Sequence, residues 1–184
     1  SSVLSAPEGA PWLLLIHQIP PKPDYFRVKV RRRLQRMGAL ALKNSVYVLP
    51  TSDESMEDFQ WLLREIVQDG GEATLCQATF LEGTDSTELR QLFQADRDVE
   101  YAEIMRVAGG HTAGLEAGAV LTDERRTQLE SEFGRLKRRL DEVMANDFFG
   151  APGRSAAERA VQEIGVQLRE PQPSRPDRSP QGVS

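Results

Sequence analysis

Apolar and polar positions alternate along the first half of the chain with periods that switch between strand and helix. Residues 12–19 form a continuous apolar run bounded by prolines, which predicts a strand buried on both faces and central in a sheet. The next stripe has helical spacing and predicts a helix that is N-capped by Asp24 and closed by Gly38. Its apolar members are Phe26, Val30, Leu34 and Met37.

Residues 39–50 are rich in strand formers and have a polar interruption at residues 43–45, so they predict either one long bulged strand or two short strands. A second helical stripe follows, with Thr51 and Glu54 at the spacing of a capping box, and ends at the glycine pair 70–71. Residues 72–81 predict another strand. The order of strand, helix, strand or hairpin, helix and strand predicts the split βαβ arrangement of ferredoxin-like folds.

The second half of the chain has helical periodicity throughout. One helix is predicted from near Asp85 to the glycine pair 109–110, and two more follow. We therefore predict an α+β protein with a ferredoxin-like part at residues 11–83 and a helical part packed on it at residues 84–169. Residues 1–10 are interpreted as a flexible arm, and the proline-rich residues 170–184 as a disordered tail.

Charge is strongly segregated, although the formal net charge of the 184 residues is only −5. Residues 22–43 contain eight basic residues against one acid, whereas residues 53–103 contain fourteen acids against three arginines. Binding follows the local potential rather than the total charge. The basic segment therefore either complements the acidic helices, within the fold or across a dimer, or faces a polyanion while the acidic remainder limits non-specific binding.

The residues indicate no catalytic site. The chain has no Gly-x-Ser-x-Gly motif, no Walker loop and no strand-linked Gly-x-Gly-x-x-Gly, so we predict a protein that is not an enzyme and uses no cofactor. Two histidines and one cysteine cannot supply the usual zinc site. His17 is interpreted as a hydrogen-bonded core histidine, and Cys76 as an inert buried thiol.

No segment predicts a membrane span or a secretory signal. The longest apolar run is far shorter than the ~20 residues of a membrane helix. It also lacks the basic leader and the small-residue cleavage site of a secretory signal. A cytoplasmic location is therefore expected.

The first predicted helix carries the candidate functional residues. At about 100° per residue, Lys29, Arg32 and Arg36 fall on a line opposite the apolar stripe, and two further arginines flank it. Arginine supplies fork-shaped donors that suit phosphate and other tetrahedral oxyanions. The residues predicted to contact nucleic acid are Arg27, Lys29, Arg31, Arg32, Arg33, Arg36 and Lys43.

Four separated segments carry a family resemblance. They are Trp-Leu-Leu-Leu-Ile-His-Gln-Ile-Pro at residues 12–20, the arginine-rich helix, Lys-Asn-Ser-Val-Tyr-Val-Leu-Pro at residues 43–50 and Asp-Phe-Phe-Gly-Ala at residues 147–151. Together they resemble the N-terminal domain of the ChrB family of chromate-resistance regulators, over roughly residues 11–169. The resemblance implies a cytoplasmic, DNA-associated protein that controls expression of a chromate efflux pump.

The strand-helix-strand portion also resembles the ferredoxin-like module of PaaX-type repressors and of small CRISPR-associated endonucleases. Those nucleases carry a metal-binding aspartate at the end of the first strand, where this chain has His17-Gln18-Ile19. Since metal-dependent phosphodiester cleavage needs a carboxylate to hold the cation, this departure argues against nuclease activity. Full-size members of the chromate family carry a further C-terminal domain, and chromate sensing is expected to be missing here if it belongs to that domain.

Three hypotheses follow from the residues and the resemblance. The favoured one is a DNA-binding regulator whose basic helix contacts phosphates and which forms a homodimer through the sheet or the terminal helices. The alternative is a module that senses an oxyanion such as chromate or sulfate, or that binds a protein, without direct contact to DNA. The third is a divergent metal-dependent nuclease.

Overall fold

The computed structural model describes residues 11–115 and 120–170. The predicted arm at residues 1–10 and the predicted tail from residue 171 onward lie outside the described residues. The elements are β1 (Trp12–Gln18), α1 (Asp24–Arg36), β2 (Leu40–Lys43), β3 (Val46–Pro50), α2 (Asp53–Gln68), β4 (Glu72–Ala78), α3 (Ser86–Thr112), α4 (Asp123–Ala145) and α5 (Arg154–Arg169). None of the described helices is both long enough and apolar enough to cross a membrane.

The four strands among the first six elements form an antiparallel sheet with the strand order β2-β3-β1-β4. This is the β-α-β-β-α-β arrangement of a ferredoxin-like fold, so the predicted α+β class is confirmed. The first strand lies between β3 and β4, as its apolar run predicted. Residues 39–50 form the hairpin rather than one long strand, with an irregularity between Ala41 and Lys43.

One face of the sheet packs against α1 and α2, and the opposite face packs against aromatic rings. Leu13 and Leu15 are buried, and they share the helix-covered face because side chains alternate along a strand. Trp12 points to the opposite face, where its ring stacks on Phe93 at 5.9 Å and its Nε1–H donates to Ser86 Oγ at 3.1 Å. The buried helix residues that cover the first face are Phe26, Val30, Leu34, Phe59, Leu62 and Ile66.

Both glycine signals at the helix ends are confirmed. Gly38 has φ +75°, and the N–H of Ala39 bonds back to the carbonyl of Leu34 at 3.0 Å. Gly70 has φ +89°, and the N–H of Gly71 bonds back to the carbonyl of Ile66 at 2.8 Å. These are Schellman endings, in which a left-handed residue satisfies the last carbonyls of the helix.

Three local predictions were wrong. Asp24 is the first helical residue rather than the N-cap, which is Pro23 with no side-chain hydrogen bond. The cap of α2 is Ser52, whose hydroxyl accepts from the N–H of Ser55 at 3.0 Å, and not Thr51. The third helix continues through the glycine pair 109–110 to Thr112, because glycine lowers helix stability without forbidding the helix.

The described residues form two compact units. The sheet unit comprises residues 11–98 and 144–152, and the helical unit comprises residues 99–115, 120–143 and 153–170. Within the helical unit, α4 has a buried stripe formed by Leu129, Leu136, Leu140 and Val143. The fifth helix approaches it closely, since a Cβ at Gly165 would lie 3.1 Å from the ring of Phe133.

Candidate nucleic-acid interface

The basic side chains of α1 are distributed by the way the helix is buried. Phe26, Val30 and Leu34 form its buried stripe, so the cations occupy the rest of the circumference. At about 100° per residue, Lys29 and Arg33 lie on one side of that stripe and Arg27 and Arg31 on the other. Arg36 is only about 20° from Lys29 around the helix axis, and the two are separated by their contacts: Lys29 pairs with Glu65, whereas Arg32 and Arg36 make no ion pair with the described residues and form the outer surface. The seven predicted residues therefore fall into three groups, and Lys43 belongs to the group of Arg27 and Arg31.

The first group lies on the flank that faces α2, which we call the paired flank. Lys29 Nζ lies 2.7 Å from Glu65 Oε1, and Arg33 Nε lies 3.2 Å from Glu65 Oε2. The contact to Oε2 is an ion pair without hydrogen-bond alignment, whereas Arg33 Nη2 donates to Oε1 at 3.4 Å. The hydrogen bond to Glu65 raises the pKa of Lys29. One carboxylate, with a side chain only 15% exposed, thus compensates two of the predicted cations.

An aromatic ring fixes Arg33 further. Its guanidinium carbon lies 3.9 Å from the centroid of the Trp61 ring, within the range of a cation–π contact. Trp61 is about half exposed, so this contact is at the surface. Phosphate binding by Lys29 and Arg33 stays a prediction, and any phosphate there would compete with Glu65.

The second group is the outer face, formed by Arg32 and Arg36. Both side chains are exposed and make no ion pair with the described residues. The C-terminal end of α1 is held in place because Asn146 Nδ2 donates to the carbonyl of Arg36 at 2.6 Å. Tyr25 and Val28 are exposed beside Arg32, and together they line a shallow depression of about 460 Å³. The outer face therefore presents fixed backbone and free guanidinium groups.

One acidic residue borders the outer face. Asp58 lines a depression of about 320 Å³ together with Arg33, Arg36, Met37 and Trp61. Burial, with Glu54 and Glu57 nearby, raises the pKa of Asp58. Protonating this carboxyl group therefore costs less free energy than protonating an ordinary surface aspartate.

The third group surrounds a cleft on the opposite side of α1 from Glu65, which we call the cleft flank. The cleft has a volume of about 780 Å³ and lies between α1, the end of β1 and the β2–β3 hairpin. Arg27 and Arg31 come from the helix, and Lys43 comes from the end of β2. All three cations are exposed, and they make no ion pair with the described part of the chain. The structure thus brings together three predicted residues that are up to sixteen positions apart.

The floor of the cleft includes a histidine that sequence reasoning interpreted differently. The ring of His17 stacks on Tyr47, with centroids 5.6 Å apart and planes 20° apart. Both ring nitrogens are buried, and apart from a contact with the backbone of His17 itself they have no hydrogen-bond partner among the described residues. The interpretation of His17 as a hydrogen-bonded core histidine was therefore wrong. Residue 17 lies at the end of β1 and lines the cleft instead of the core. Burial lowers the pKa of His17 below its ordinary value of 6.5.

Sequence reasoning missed the cleft and Glu65, and it also placed Cys76 too deep. Cys76 is half-buried on β4 rather than buried. Alternation along β1 could have placed His17 on the face of Leu13 and Leu15, which is the signal that was available. No one-dimensional signal singles out Glu65 among the fourteen acids of residues 53–103.

The fold and the site define a ferredoxin-like α+β domain whose first helix carries four exposed cations that make no ion pair with the described residues. The chain belongs to the family described as Protein ChrB, N-terminal, whose family model matches residues 27–171. All seven predicted site residues lie within that match, whereas His17 precedes it.

The chain is also similar to a curated relative. It is 28% identical, over 158 residues and 86% of its length, to Protein ChrB of Cupriavidus metallidurans. The matched region spans 45% of the length of that relative. No solved structure matches the chain.

Proposed function

We propose that this chain is a DNA-associated regulator connected with chromate resistance, which holds DNA phosphates on the outer face of α1. Membership of the ChrB family supports the connection with chromate resistance. The observation that carries the DNA contact is the pair Arg32 and Arg36, two exposed guanidinium groups on one helix face with no carboxylate bound to them in the described residues.

Uncompensated arginines matter because the phosphate backbone supplies most of the affinity of non-specific DNA binding. Each cation that neutralises a phosphate releases condensed counterions, so binding weakens steeply with salt. A guanidinium that already pairs with a carboxylate contributes less, since that pair must be broken or shared. Arg32 and Arg36 carry no such cost, whereas Lys29 and Arg33 do. In this proposal the outer face is the primary contact, and Lys29 and Arg33 hold its border in a fixed geometry.

The proposed partners follow from the same surface. A single α1 offers few phosphate contacts, so a homodimer that presents two outer faces to one duplex would raise the affinity through effective concentration. The residues outside 22–43 are acidic on balance, which limits non-specific contact between DNA and other surfaces of the protein. The role is regulatory, involves no catalysis and places the protein in the cytoplasm.

The test uses a double substitution with a matched control. Arg32→Gln with Arg36→Gln removes two charges from the outer face, and Lys137→Gln with Arg138→Gln removes two exposed charges from α4. The probes are the duplex upstream of the chain's own gene and an unrelated duplex of equal length. We expect the outer-face pair to weaken binding to both duplexes and to lower the salt slope by about 2, near 0.9 for each lost phosphate contact.

The contrary results are clear. Unchanged affinity and salt slope for the outer-face variant would reject this surface as the DNA contact. An equal loss for the α4 variant would show that only total charge matters. A gel shift measures the affinity for both duplexes. The same gel shift with and without chromate tests the regulatory part, because a chromate-responsive regulator changes its DNA affinity and a constitutive binder does not.

A further inference from the structure

The cleft flank differs from a plain solvated helix face because it is concave and has walls from three elements. Arg27 and Arg31 stand on one wall, Lys43 and the hairpin turn form the other, and the ends of β1 and β3 form the floor. The hairpin is tied to β1 there, since the N–H of His17 donates to the carbonyl of Ser45 at 2.9 Å. The walls therefore belong to the sheet and to a helix packed on it, which favours a preformed site.

The electrostatics of this cleft are one-sided. Among the described residues that line it, three are cationic and none is a carboxylate. The paired flank of the same helix has Glu65 at 2.7 Å from a lysine, so the helix does not lack the means to compensate its charges. Three like charges that line one concave site attract an anion more strongly than the same charges spread over a convex surface.

The floor contains unused hydrogen-bonding capacity. Buried polar atoms are almost always hydrogen-bonded in native proteins, and an exception requires an explanation. The ring nitrogens of His17 are buried and have no partner on any other described residue. The remaining polar groups of the floor and rim come from Gln18, Asn44, Ser45 and Tyr47, whose side chains offer neutral donors and acceptors. Arginine forks beside neutral donors are the donor set that a tetrahedral oxyanion prefers.

We propose that the cleft between α1 and the β2–β3 hairpin binds a phosphate-class oxyanion through Arg27, Arg31 and Lys43, with His17 beneath it. The ligand is either the free anion or the phosphate group of a small phosphorylated molecule. The volume of about 780 Å³ lies within the range of small-molecule sites, and a lone tetrahedral anion fills only part of it. The rest of the cleft, next to the ring of Tyr47, has room for the organic part of a phosphate ester.

This site goes beyond the proposed function and uses other residues. DNA contact rests on Arg32 and Arg36, whereas the anion site rests on Arg27, Arg31 and Lys43. Each proposal therefore fails separately. A chain that binds DNA through the outer face but no small anion would keep the first proposal and lose the second.

The test observes the imidazole signals of the 184-residue chain by NMR, because it contains only two histidines. His17 lies in the cleft, and His111 lies in the helical unit and serves as an internal control. The probes are inorganic phosphate, sulfate, adenosine monophosphate and adenosine, added at constant ionic strength with chloride as the reference anion. We expect phosphate or adenosine monophosphate to shift the His17 signals in a saturable manner and to leave those of His111 in place.

The outcomes separate the two sources of the anion. Saturation by phosphate and sulfate supports a site for the free oxyanion, and saturation by adenosine monophosphate alone supports a phosphate ester. Binding of adenosine with the same affinity would overturn the role of the anion. A shift caused by duplex DNA but by neither small anion would also overturn the proposal and assign the cleft to the DNA interface.

Matched variants complete the design. Arg27→Gln with Arg31→Gln should lower the affinity for the saturating anion at least about tenfold, the effect of losing charge-assisted hydrogen bonds. Arg32→Gln with Arg36→Gln removes the same charge from the same helix and should change the affinity by less than about twofold. Equal losses in the two variants would show a general charge effect and would reject the site.

Discussion

The two flanks of α1 carry the same kinds of side chain and are nevertheless different surfaces. On the paired flank, Lys29 and Arg33 meet Glu65, and Arg33 also covers the Trp61 ring at 3.9 Å. On the cleft flank, Arg27 and Arg31 meet no carboxylate among the described residues and open onto a cavity. A count of basic residues does not distinguish the flanks. The neighbour that each flank faces, α2 or the β2–β3 hairpin, decides what its cations can bind.

The difference shows that one charged helix can use some of its cations for internal ion pairs and leave others exposed. Pairing with a partly buried carboxylate fixes the cation and orders the helix contact, but such pairs contribute little to stability when the cations are exposed. The unpaired cations of the cleft flank and the outer face gain no such contact and repel one another, so they carry a cost in stability. The cost is understandable if the cleft flank and the outer face bind anions. The comparison can be tested by removing the support that both flanks share, then the carboxylate that distinguishes them, then the histidine found on one side.

The largest effect is expected from the buried stripe that supports both flanks. Leu34 is 1% exposed and lies between the helix and the sheet. Leu34→Ala should lower the free energy of unfolding by about 2–5 kcal/mol, because it removes buried methyl groups and leaves a cavity. Urea unfolding measures this loss, and DNA binding and anion binding should weaken together.

The neighbouring Gln35→Ala provides the control for Leu34→Ala. Gln35 is exposed on the same helix, so its replacement should change the free energy of unfolding by no more than about 0.5 kcal/mol. A loss below about 1 kcal/mol for Leu34→Ala would show that the two flanks do not depend on this packing.

The second prediction makes the two flanks alike. Glu65→Gln removes the carboxylate that holds Lys29 and Arg33, so both cations become available to phosphate. We expect DNA affinity at low salt to rise about tenfold and the salt slope to increase by about 1 to 2. Filter binding over a salt series measures both quantities.

Total charge must be separated from this local effect. Glu72→Gln removes an equal charge from an exposed position on β4, away from α1 in the chain. It should change the affinity by no more than about twofold. If the two variants bind DNA equally well, Glu65 does not restrain the paired flank.

Hydrophobic periodicity predicts most of the fold, because alternation and helical spacing are local properties of the chain. The first strand, both sheet-covering helices and their glycine endings follow from positions within one element. The N-cap of α2 lies one residue later than predicted. Thr51 and Ser52 both offer a hydroxyl group, and only the backbone geometry selects Ser52. Residues 39–50 fit either a hairpin or one long bulged strand, and only the cross-strand pairing decides between the two.

The site was less predictable because its geometry is tertiary. The charge run of α1 was visible, but Glu65 is 32 residues from Arg33 and nothing local pairs them. The cleft requires that α1 leave the sheet uncovered beside His17 and that the hairpin bring Lys43 to the same place. Neither condition can be predicted from the spacing of residues along the chain. The sequence therefore predicts which residues are cationic, and packing decides which of them are free.

The smallest effect concerns pH and belongs to the cleft flank alone. Burial lowers the pKa of His17 below 6.5 in the folded chain. As the pH falls through 6.5, the unfolded chain takes up a proton at this position before the folded chain does, so the free energy of unfolding decreases. The stabilisation is complete above pH 6.5 and is lost toward the lower folded pKa. With one proton involved, the slope cannot exceed about 1.4 kcal/mol per pH unit.

The measurement is urea unfolding between pH 5.5 and 8 for the unsubstituted chain and for His17→Gln. The variant should show a flatter dependence below pH 7, and subtracting the two curves removes the titration of all other groups. Parallel curves would contradict a depressed pKa at this position. Saturating phosphate sharpens the comparison, because an anion above the imidazole favours its protonated form. Phosphate should therefore flatten the curve of the unsubstituted chain and leave that of Arg27→Gln with Arg31→Gln unchanged, which connects the histidine to the cations of its own flank.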